Sequence, residues 1–195
     1  MSREYFNQMA DGWDEMVEHD SDIIRNTVRK WPDLKHPRIL DVGTGTGVMI
    51  PFLREKFGDK SEIIAIDFAG NMIKKAREKF TGENINFVHG NILEYPFENK
   101  YFDIIICYSV FPHFKDKMQI LKKLHNLLKY KGLLVIFHSD SREKINQIHH
   151  KAGTDVREDR LPPAEKIMKM AENLGFKVEN MVDNYQKYLI ELIKD

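Results

Sequence analysis

Several features common in other protein classes are scarce or missing in this chain of 195 residues. Its single cysteine, Cys107, excludes an internal disulfide, and we expect a cytoplasmic protein. The 30 basic residues equal the 30 acidic ones, so no net charge attracts nucleic acid or an anionic membrane. Apolar runs are shorter than a membrane span, and the charged first residues predict no signal peptide. We therefore expect neither a nucleic-acid nor a membrane partner.

One stretch organises the rest of the chain, the glycine turn at residues 43–47. A short apolar run, Arg38 to Val42, predicts a buried strand, and a helical pattern follows from Val48 to Phe57. Strand, glycine turn and helix form the opening of a nucleotide-binding βαβ unit. The glycines have the pattern G-x-G-x-G. Val48 stands where a dinucleotide fingerprint, G-x-G-x-x-G, would have its third glycine.

Two acidic residues indicate which kind of nucleotide we expect the chain to bind. Asp41 lies two positions before Gly43, where a carboxylate repels a pyrophosphate but suits a cationic amino group. Asp67 ends the second predicted strand, where a carboxylate can accept hydrogen bonds from both ribose hydroxyls. The alternative for Asp67 is a helix N-cap or turn residue. Asp41 favours a nucleoside with an amino-acid tail and, together with Val48, disfavours an NAD-dependent oxidoreductase. Asp67 supports an adenosine ligand of either kind.

At these residues the chain resembles the class I S-adenosylmethionine-dependent methyltransferases, whose first motif is an acid followed by G-x-G-x-G. The resemblance implies an α/β fold: a three-layer, Rossmann-like, seven-stranded sheet, mostly parallel, with an antiparallel last strand. The final pattern, two alternating segments joined at Asp183-Asn184, agrees with that ending. We expect one domain over 1–195: N-terminal cap helices (1–31), a cofactor-binding core (38–138), a substrate-side insertion (139–161), and a C-terminal helix and hairpin (162–195).

The resemblance also implies which residues bind S-adenosyl-L-methionine. Asn91 stands where the family usually has an aspartate beside the adenine, and its carbonyl can still accept from the adenine amino group. Tyr5 and Trp13 belong to an amphipathic helix, 3–18, that either lies over the cofactor or only packs on the core. The expected cofactor-binding residues are Tyr5, Trp13, Asp41, Gly43, Thr44, Gly45, Gly47, Asp67, Phe68, Met72, Asn91, Ile92 and Tyr108.

The acceptor side is predicted from histidines that follow the fourth and fifth strands. Methyl transfer from a sulfonium needs orientation and, for some acceptors, a base, and histidine has a suitable pKa. His138, at the tip of the fifth strand, is the first candidate for the base and His113 is the second. His149 and His150, in a helix predicted over 141–151, are expected to contact substrate. For each histidine taken singly, a surface or hydrogen-bonded structural role carries more weight than catalysis.

The sequence also predicts local features that the structure can check. Gly132 is expected to end a helix over 115–130. Asp140 and Glu143 have the spacing of a capping box that opens the helix over 141–151, with Ile145 and Ile148 facing inward.

Other functions are weighed against a methyltransferase for a small-molecule acceptor. One alternative is a module that binds S-adenosylmethionine as a sensor or assembly factor without transferring methyl groups. Another is a methyltransferase with a metal site built from His138, His149, His150 and Asp155, although these residues lack a recognised ligand spacing, so no metal is expected. Ser109-Val110-Phe111-Pro112 replaces the N-P-P-Y or D-P-P-Y tetrapeptide of enzymes that methylate nucleic-acid bases or glutamine. We expect a monomer or a homodimer.

Overall fold

A computed structural model describes residues 3–152 and 156–195 of the chain. These residues form two compact units, Arg3–Tyr95 and Pro96–Asp195, which we call the N-terminal and C-terminal units. In each unit, β-strands are flanked by helices.

The N-terminal unit contains three parallel strands in the order β3-β2-β1. Their central residues are buried isoleucines, leucines, valines and alanines, as expected for parallel strands covered on both faces. Asp41 is the last residue but one of β1 and Asp67 is the last of β2, so both acids lie at the carboxyl ends of their strands. Their register partners are Ala65 and His89. The bounds are β1 Arg38–Val42, β2 Glu62–Asp67, β3 Ile85–His89, α3 Ser21–Val28, α4 Ile50–Phe57 and α5 Gly70–Lys79.

The first segment is broken where the sequence predicts one helix over 3–18. It consists of α1 Arg3–Met9, a 3-10 turn Ala10–Gly12 and a single turn α2 Trp13–Met16. Gly12 lies at the break, consistent with its poor helix propensity. The segment packs on α5, where the Asn71 backbone N–H donates to Asn7 Oδ1 and the Asn71 side chain donates to the Asn7 carbonyl, both at 3.0 Å.

The C-terminal unit contains four strands in the order β4-β5-β7-β6. Strands β4 and β5 are parallel, and β7 runs antiparallel to both of its neighbours. The hairpin turn is closed by Asn184 Oδ1, which accepts from the backbone N–H groups of Gln186 and Lys187 at 2.9 and 3.0 Å. The bounds are β4 Phe102–Tyr108, β5 Leu128–His138, β6 Phe176–Asp183, β7 Tyr188–Lys194, a 3-10 turn Phe111–His113, α6 Lys117–Leu127, α7 Arg142–Lys151 and α8 Ala164–Glu172.

Gly132 does not end a helix, contrary to the prediction. Helix α6 ends at Leu127 and β5 begins at the next residue, so Gly132 lies inside the strand. A Cβ atom there would lie 2.9 Å from the carbonyl oxygen of Lys129 and 3.2 Å from that of Asp103. Glycine is therefore required by a close approach of backbones beside an irregularity in the β4–β5 register.

The predicted start of α7 is wrong by one residue, and one of its predicted core positions is wrong. Ser141 is the N-cap, because its side chain accepts from the Lys144 N–H at 3.2 Å, while Asp140 pairs with the Lys144 ammonium at 2.6 Å. Ile148 is exposed instead of inward.

The predicted fold class, a Rossmann-like seven-stranded α/β sheet that is mostly parallel with an antiparallel last strand, is confirmed. Within residues 3–152 and 156–195, every helix falls short of the length and apolarity needed to cross a membrane.

Candidate functional site

The glycine turn of the N-terminal unit is held to the end of β2 by its own backbone. The N–H groups of Gly43 and Thr44 donate to the Ile66 carbonyl at 2.8 and 3.1 Å. Gly43, Gly45 and Gly47 all have positive φ, at 69°, 55° and 92°, a region where a β-carbon is strained. The turn therefore requires these glycines for its conformation.

The second and third glycines differ in their surroundings. A Cβ atom on Gly45 would have nothing within 4 Å, whereas one on Gly47 would lie 2.7 Å from the ring of Phe80. Gly47 is therefore needed for packing inside the unit. The open space at Gly45 is what a ligand that approaches the backbone closely requires.

Two acidic side chains lie against this turn. The Gly45 N–H donates to Asp67 Oδ2 at 2.9 Å, and Asp67 Oδ1 accepts from the Ala69 N–H at the same distance. Asp67 thus has the local turn role that the sequence left as an alternative, and it also links β2 to the glycine turn. A carboxylate has about four acceptor positions, so these two bonds are compatible with ribose hydroxyls as further donors.

Asp41 is 1% exposed, and its Oδ2 accepts from the Thr44 hydroxyl at 2.6 Å. Burial raises the pKa of Asp41 to about 7, the Thr44 hydrogen bond opposes the rise, and the nearby Asp67 charge adds to it. A cationic group of a ligand would therefore stabilise the ionised form of Asp41, whereas a phosphate would be repelled by it.

The remaining expected cofactor residues of this unit surround α5 and the loop after β3. Met72 and Ile92 are buried, and Phe68 is half-buried. Asn91 is occupied by its own loop, since its Oδ1 accepts from the Leu93 N–H at 3.1 Å and its amide donates to Glu94 at 3.0 Å. A contact from Asn91 to adenine would use the second lone pair of that carbonyl.

The N-terminal segment lies beside the glycine turn through contacts that the sequence did not predict. Asp14 accepts from the Thr46 hydroxyl at 2.6 Å and pairs with Lys79. The Phe6 ring packs against Trp13 and Phe68, with centroids 5.6 and 5.9 Å apart. Tyr5 contacts Phe6 edge-on. These contacts place Trp13 in an aromatic cluster with Phe6 and Phe68, and Phe68 directly follows Asp67 in the sequence.

Three of the predicted histidines meet in the C-terminal unit. The ring centroids of His113 and His149 are 4.9 Å apart. Burial lowers the pKa of the nearby His138, and the charges of His113 and His149 lower it further. Asp159 joins them: its Oδ2 lies 2.8 Å from His113 Nδ1, and its carbonyl oxygen lies 2.6 Å from His149 Nδ1. No local sequence pattern pointed to Asp159, because its partners are 46 and 10 residues away.

The other predicted residues of this unit have different surroundings. The Tyr108 hydroxyl is buried and shares a 2.7 Å hydrogen bond with Ser139. His150 is exposed, while His149 is half-buried, because successive helical residues point about 100° apart. The helix geometry therefore does not favour both histidines lining one acceptor pocket.

Three of the four residues considered for a metal site, His138, His149 and His150, lie among the described residues. Within residues 3–152 and 156–195, no three His, Cys, Asp or Glu side chains are grouped so as to hold an ion. Asp155, one of the ligands considered above, lies outside the described residues.

Residues 39–132 match the family described as a methyltransferase domain. A demethylmenaquinone methyltransferase of Lactococcus lactis subsp. lactis (strain IL1403) is 31% identical over 142 residues, which cover 68% of this chain and 56% of the relative. A malonyl-[acyl-carrier protein] O-methyltransferase of Acetivibrio thermocellus is 33% identical over 140 residues, which cover 70% and 48%. The chain thus spans about half the length of the curated relatives it matches.

Solved structures agree on the fold. One chain comes from the complex between the Haloferax volcanii Trm112 methyltransferase activator and a methyltransferase. It superposes with a TM-score of 0.81 at 16% identity, covering 99% of both chains. A SAM-dependent methyltransferase from Aquifex aeolicus gives 0.73 at 16% identity over 100% of both chains. With its Rossmann-like sheet, its acid and glycine turn and these matches, the chain belongs to the class I S-adenosylmethionine-dependent methyltransferase family.

Proposed function

We propose that this protein transfers a methyl group from S-adenosylmethionine to a small-molecule acceptor. The observation that carries the proposal is the pair of buried acids, Asp41 and Asp67, against a glycine turn that leaves open space at Gly45. A cationic amino-acid tail complements these acids, and the backbone at Gly45 leaves room for a nucleoside. Phosphates of a dinucleotide would be repelled by the same acids.

S-adenosylmethionine supplies an activated methyl group, so the chain's own task is to bind and orient. Asp67 would bind the ribose hydroxyls while it holds the turn, and Asp41 would stabilise the positive charge of the tail. Met72 and Ile92 offer apolar surface of the kind that an adenine ring packs against. Phe6 and Trp13 support this region from the N-terminal segment.

The acceptor is proposed to be a small molecule that the C-terminal unit handles through its histidines. Relatives are named for demethylmenaquinone and for malonyl-[acyl-carrier protein], and these names mark two acceptors to test.

The test is a transfer assay with S-adenosylmethionine labelled in its methyl group. The protein is incubated with demethylmenaquinone, with malonyl-[acyl-carrier protein] and with a protein-free metabolite extract. We expect label in a small-molecule product together with an equal amount of S-adenosylhomocysteine. Asp67→Ala should lose the activity, whereas Asp59→Ala, an exposed aspartate in the same unit, should keep it. Cofactor binding without transfer would instead favour a binding module, and label in macromolecules only would exclude the small-molecule proposal.

A further inference from the structure

The glycine turn of the N-terminal unit is held at two neighbouring residues by two different aspartates. Asp67, at the end of β2, accepts from the Gly45 N–H at 2.9 Å. Asp14, in α2, accepts from the Thr46 hydroxyl at 2.6 Å. Thr46 is only 4% exposed, so its hydroxyl needs a partner within the protein, and Asp14 supplies it. The part of the turn that leaves open space for a ligand is therefore fixed between β2 and the N-terminal segment, residues 3–16.

Asp14 is itself held in place and carries a negative charge. Its Oδ2 accepts from the ammonium group of Lys79, the last residue of α5. Burial by itself would raise the pKa of Asp14, but hydrogen bonds from Lys79 and Thr46 lower it below its ordinary value. The charges of Lys79 and His19 act in the same direction. Asp14 is therefore a carboxylate at neutral pH, and a carboxylate accepts a stronger hydrogen bond from a hydroxyl than a neutral group does.

The end of α5 contacts the glycine turn by two routes. Lys79 reaches the turn through Asp14. Phe80, the next residue, packs so closely on the turn that a Cβ atom on Gly47 would lie 2.7 Å from its ring. The Phe80 contact joins α5 directly to the turn, whereas the Asp14 contact exists only while the N-terminal segment is docked. Thr46 is therefore the residue at which docking of that segment acts on the turn.

The N-terminal segment is docked more by polar contacts than by burial. Its α2 is a single helical turn without a buried residue, and a helix of that length is not stable alone. Of residues 3–16, only Phe6 and Ala10 are buried. A segment with so few buried apolar groups opens at a small cost in free energy, so single contacts decide how well it is held. The polar contacts join Asn7, Asp11 and Asp14 of the segment to Asn71, Lys75 and Lys79, which are one turn apart on α5.

Asp11 and Asp14 form equivalent ion pairs with α5 but differ in what else they contact. Asp11 pairs with Lys75 at 2.8 Å, and its side chain is 90% exposed. Among the described residues, its hydrogen bonding and charge interactions involve lysines of α5 alone. Asp14 binds Thr46 of the glycine turn in addition to its lysine. A comparison of these two aspartates therefore separates the contact with the turn from the docking of the segment.

We propose that Asp14 is a positioning residue for the cofactor: through Thr46 it holds the glycine turn in the conformation that binds the nucleoside. The inference rests on the proposed S-adenosylmethionine site at this turn, and every residue that it uses belongs to the N-terminal unit. Docking of the N-terminal segment and binding of the cofactor then favour each other. Such coupling is reciprocal, so the cofactor also holds the segment in place.

The first experiment measures dissociation constants for S-adenosylhomocysteine by calorimetry. Asp14→Ala removes the acceptor and Thr46→Val removes the donor at constant side-chain shape, so each should weaken binding about tenfold. The double variant should also be about tenfold weaker, and not about a hundredfold, because both changes remove the same contact. Asp14→Asn keeps an acceptor for the Thr46 hydroxyl and should restore most of the affinity. Asp11→Ala is the matched control and should bind like the wild type, since an exposed ion pair contributes little.

The second experiment measures hydrogen exchange of the backbone amides of residues 3–16 with and without S-adenosylhomocysteine. The ligand should slow their exchange about tenfold in the wild type, which is the reciprocal of its tenfold effect on affinity. Thr46→Val should abolish this protection, although it leaves Asp14 paired with Lys79. A contact that only stabilised the fold would leave the ligand-dependent protection unchanged.

The outcomes separate the inference from the function on which it rests. Equal losses of affinity in both single variants and in the double variant, with circular dichroism and Asp11→Ala unchanged, support the inference. Wild-type affinity in Thr46→Val overturns it, as do additive losses in the double variant. An equal loss in Asp11→Ala also overturns it, because the effect would then belong to docking of the whole segment. A wild-type protein that binds no S-adenosylhomocysteine refutes the proposed cofactor site, and the inference with it.

Discussion

The buried carboxyl of Asp41 makes a quantitative prediction about stability and pH. Asp41 has a pKa of about 7 in the folded protein against 3.8 in an unperturbed chain, mainly because of burial. Between these two values the folded protein binds a proton that the unfolded chain does not. Stability from this group is therefore largest at low pH, and it is lost as pH rises from about 4 to about 7. Asp41→Asn removes the titration and keeps an oxygen for the Thr44 hydroxyl.

The size of the effect follows from the two pKa values. At pH 5 the bound proton stabilises the native state by about 3 kcal/mol, and at pH 8 its contribution is close to zero. The free energy of unfolding of the wild type minus that of Asp41→Asn should thus rise by about 3 kcal/mol between pH 8 and pH 5. At pH 8 the variant should be the more stable protein, since it buries no charge.

Urea unfolding of both proteins without cofactor, followed by circular dichroism at several pH values, measures this difference. Titrating groups that do not interact with Asp41 cancel in the subtraction. Asp67, whose charge raises the pKa of Asp41, is the group that does not cancel. Asp41→Asn should also bind S-adenosylhomocysteine more weakly at pH 8, because the cationic tail loses its ionised partner. A wild-type-minus-variant difference that stays constant from pH 5 to pH 8 would refute the argument that Asp41 is a buried acid held near neutrality.

Four further substitutions test the roles assigned to individual residues. Asp67→Ala should weaken S-adenosylhomocysteine binding by about 2–4 kcal/mol, measured by calorimetry, through lost charge-assisted hydrogen bonds; an unchanged affinity with an intact fold would remove Asp67 from the site. Gly47→Ala should destabilise the protein by about 2–4 kcal/mol because of its positive φ and the Phe80 ring. Gly45→Ala should cost only about 1 kcal/mol of stability but reduce cofactor affinity more strongly than Gly47→Ala does. A larger loss of stability in Gly45→Ala, together with a larger loss of affinity in Gly47→Ala, would contradict the assigned roles. Tyr188→Phe should raise the melting temperature of the free protein, because it removes an unpartnered buried hydroxyl; a lower value would show that the hydroxyl has a stabilising partner.

The N-terminal strands and the glycine turn were predictable because their signals are local. An apolar run, alternate glycines and two acids at strand ends lie within 30 residues, and each has a steric or electrostatic cause. Gly132 was misread because glycine after a helical pattern normally marks its end. The contact that requires glycine there, with the Asp103 carbonyl, is long-range.

For the histidine cluster in the C-terminal unit, the sequence predicted the histidines but not their protonation or their partner Asp159. Histidines that follow strands β4 and β5 are visible in the sequence, but their protonation is not, since it depends on burial and on partners. His138 was the first candidate for a base, but complete burial lowers its pKa to about 3. Asp159, which orients His149 and pairs with His113, comes from a polar loop without a recognisable pattern.

The most direct test of the central claim is calorimetric titration of the cofactor-free protein with S-adenosylhomocysteine and, in parallel, with NAD. The buried acids and the G-x-G-x-G turn predict a dissociation constant of order 1 μM for S-adenosylhomocysteine, about −8 kcal/mol, and no binding of NAD. Binding of NAD without binding of S-adenosylhomocysteine would contradict the account.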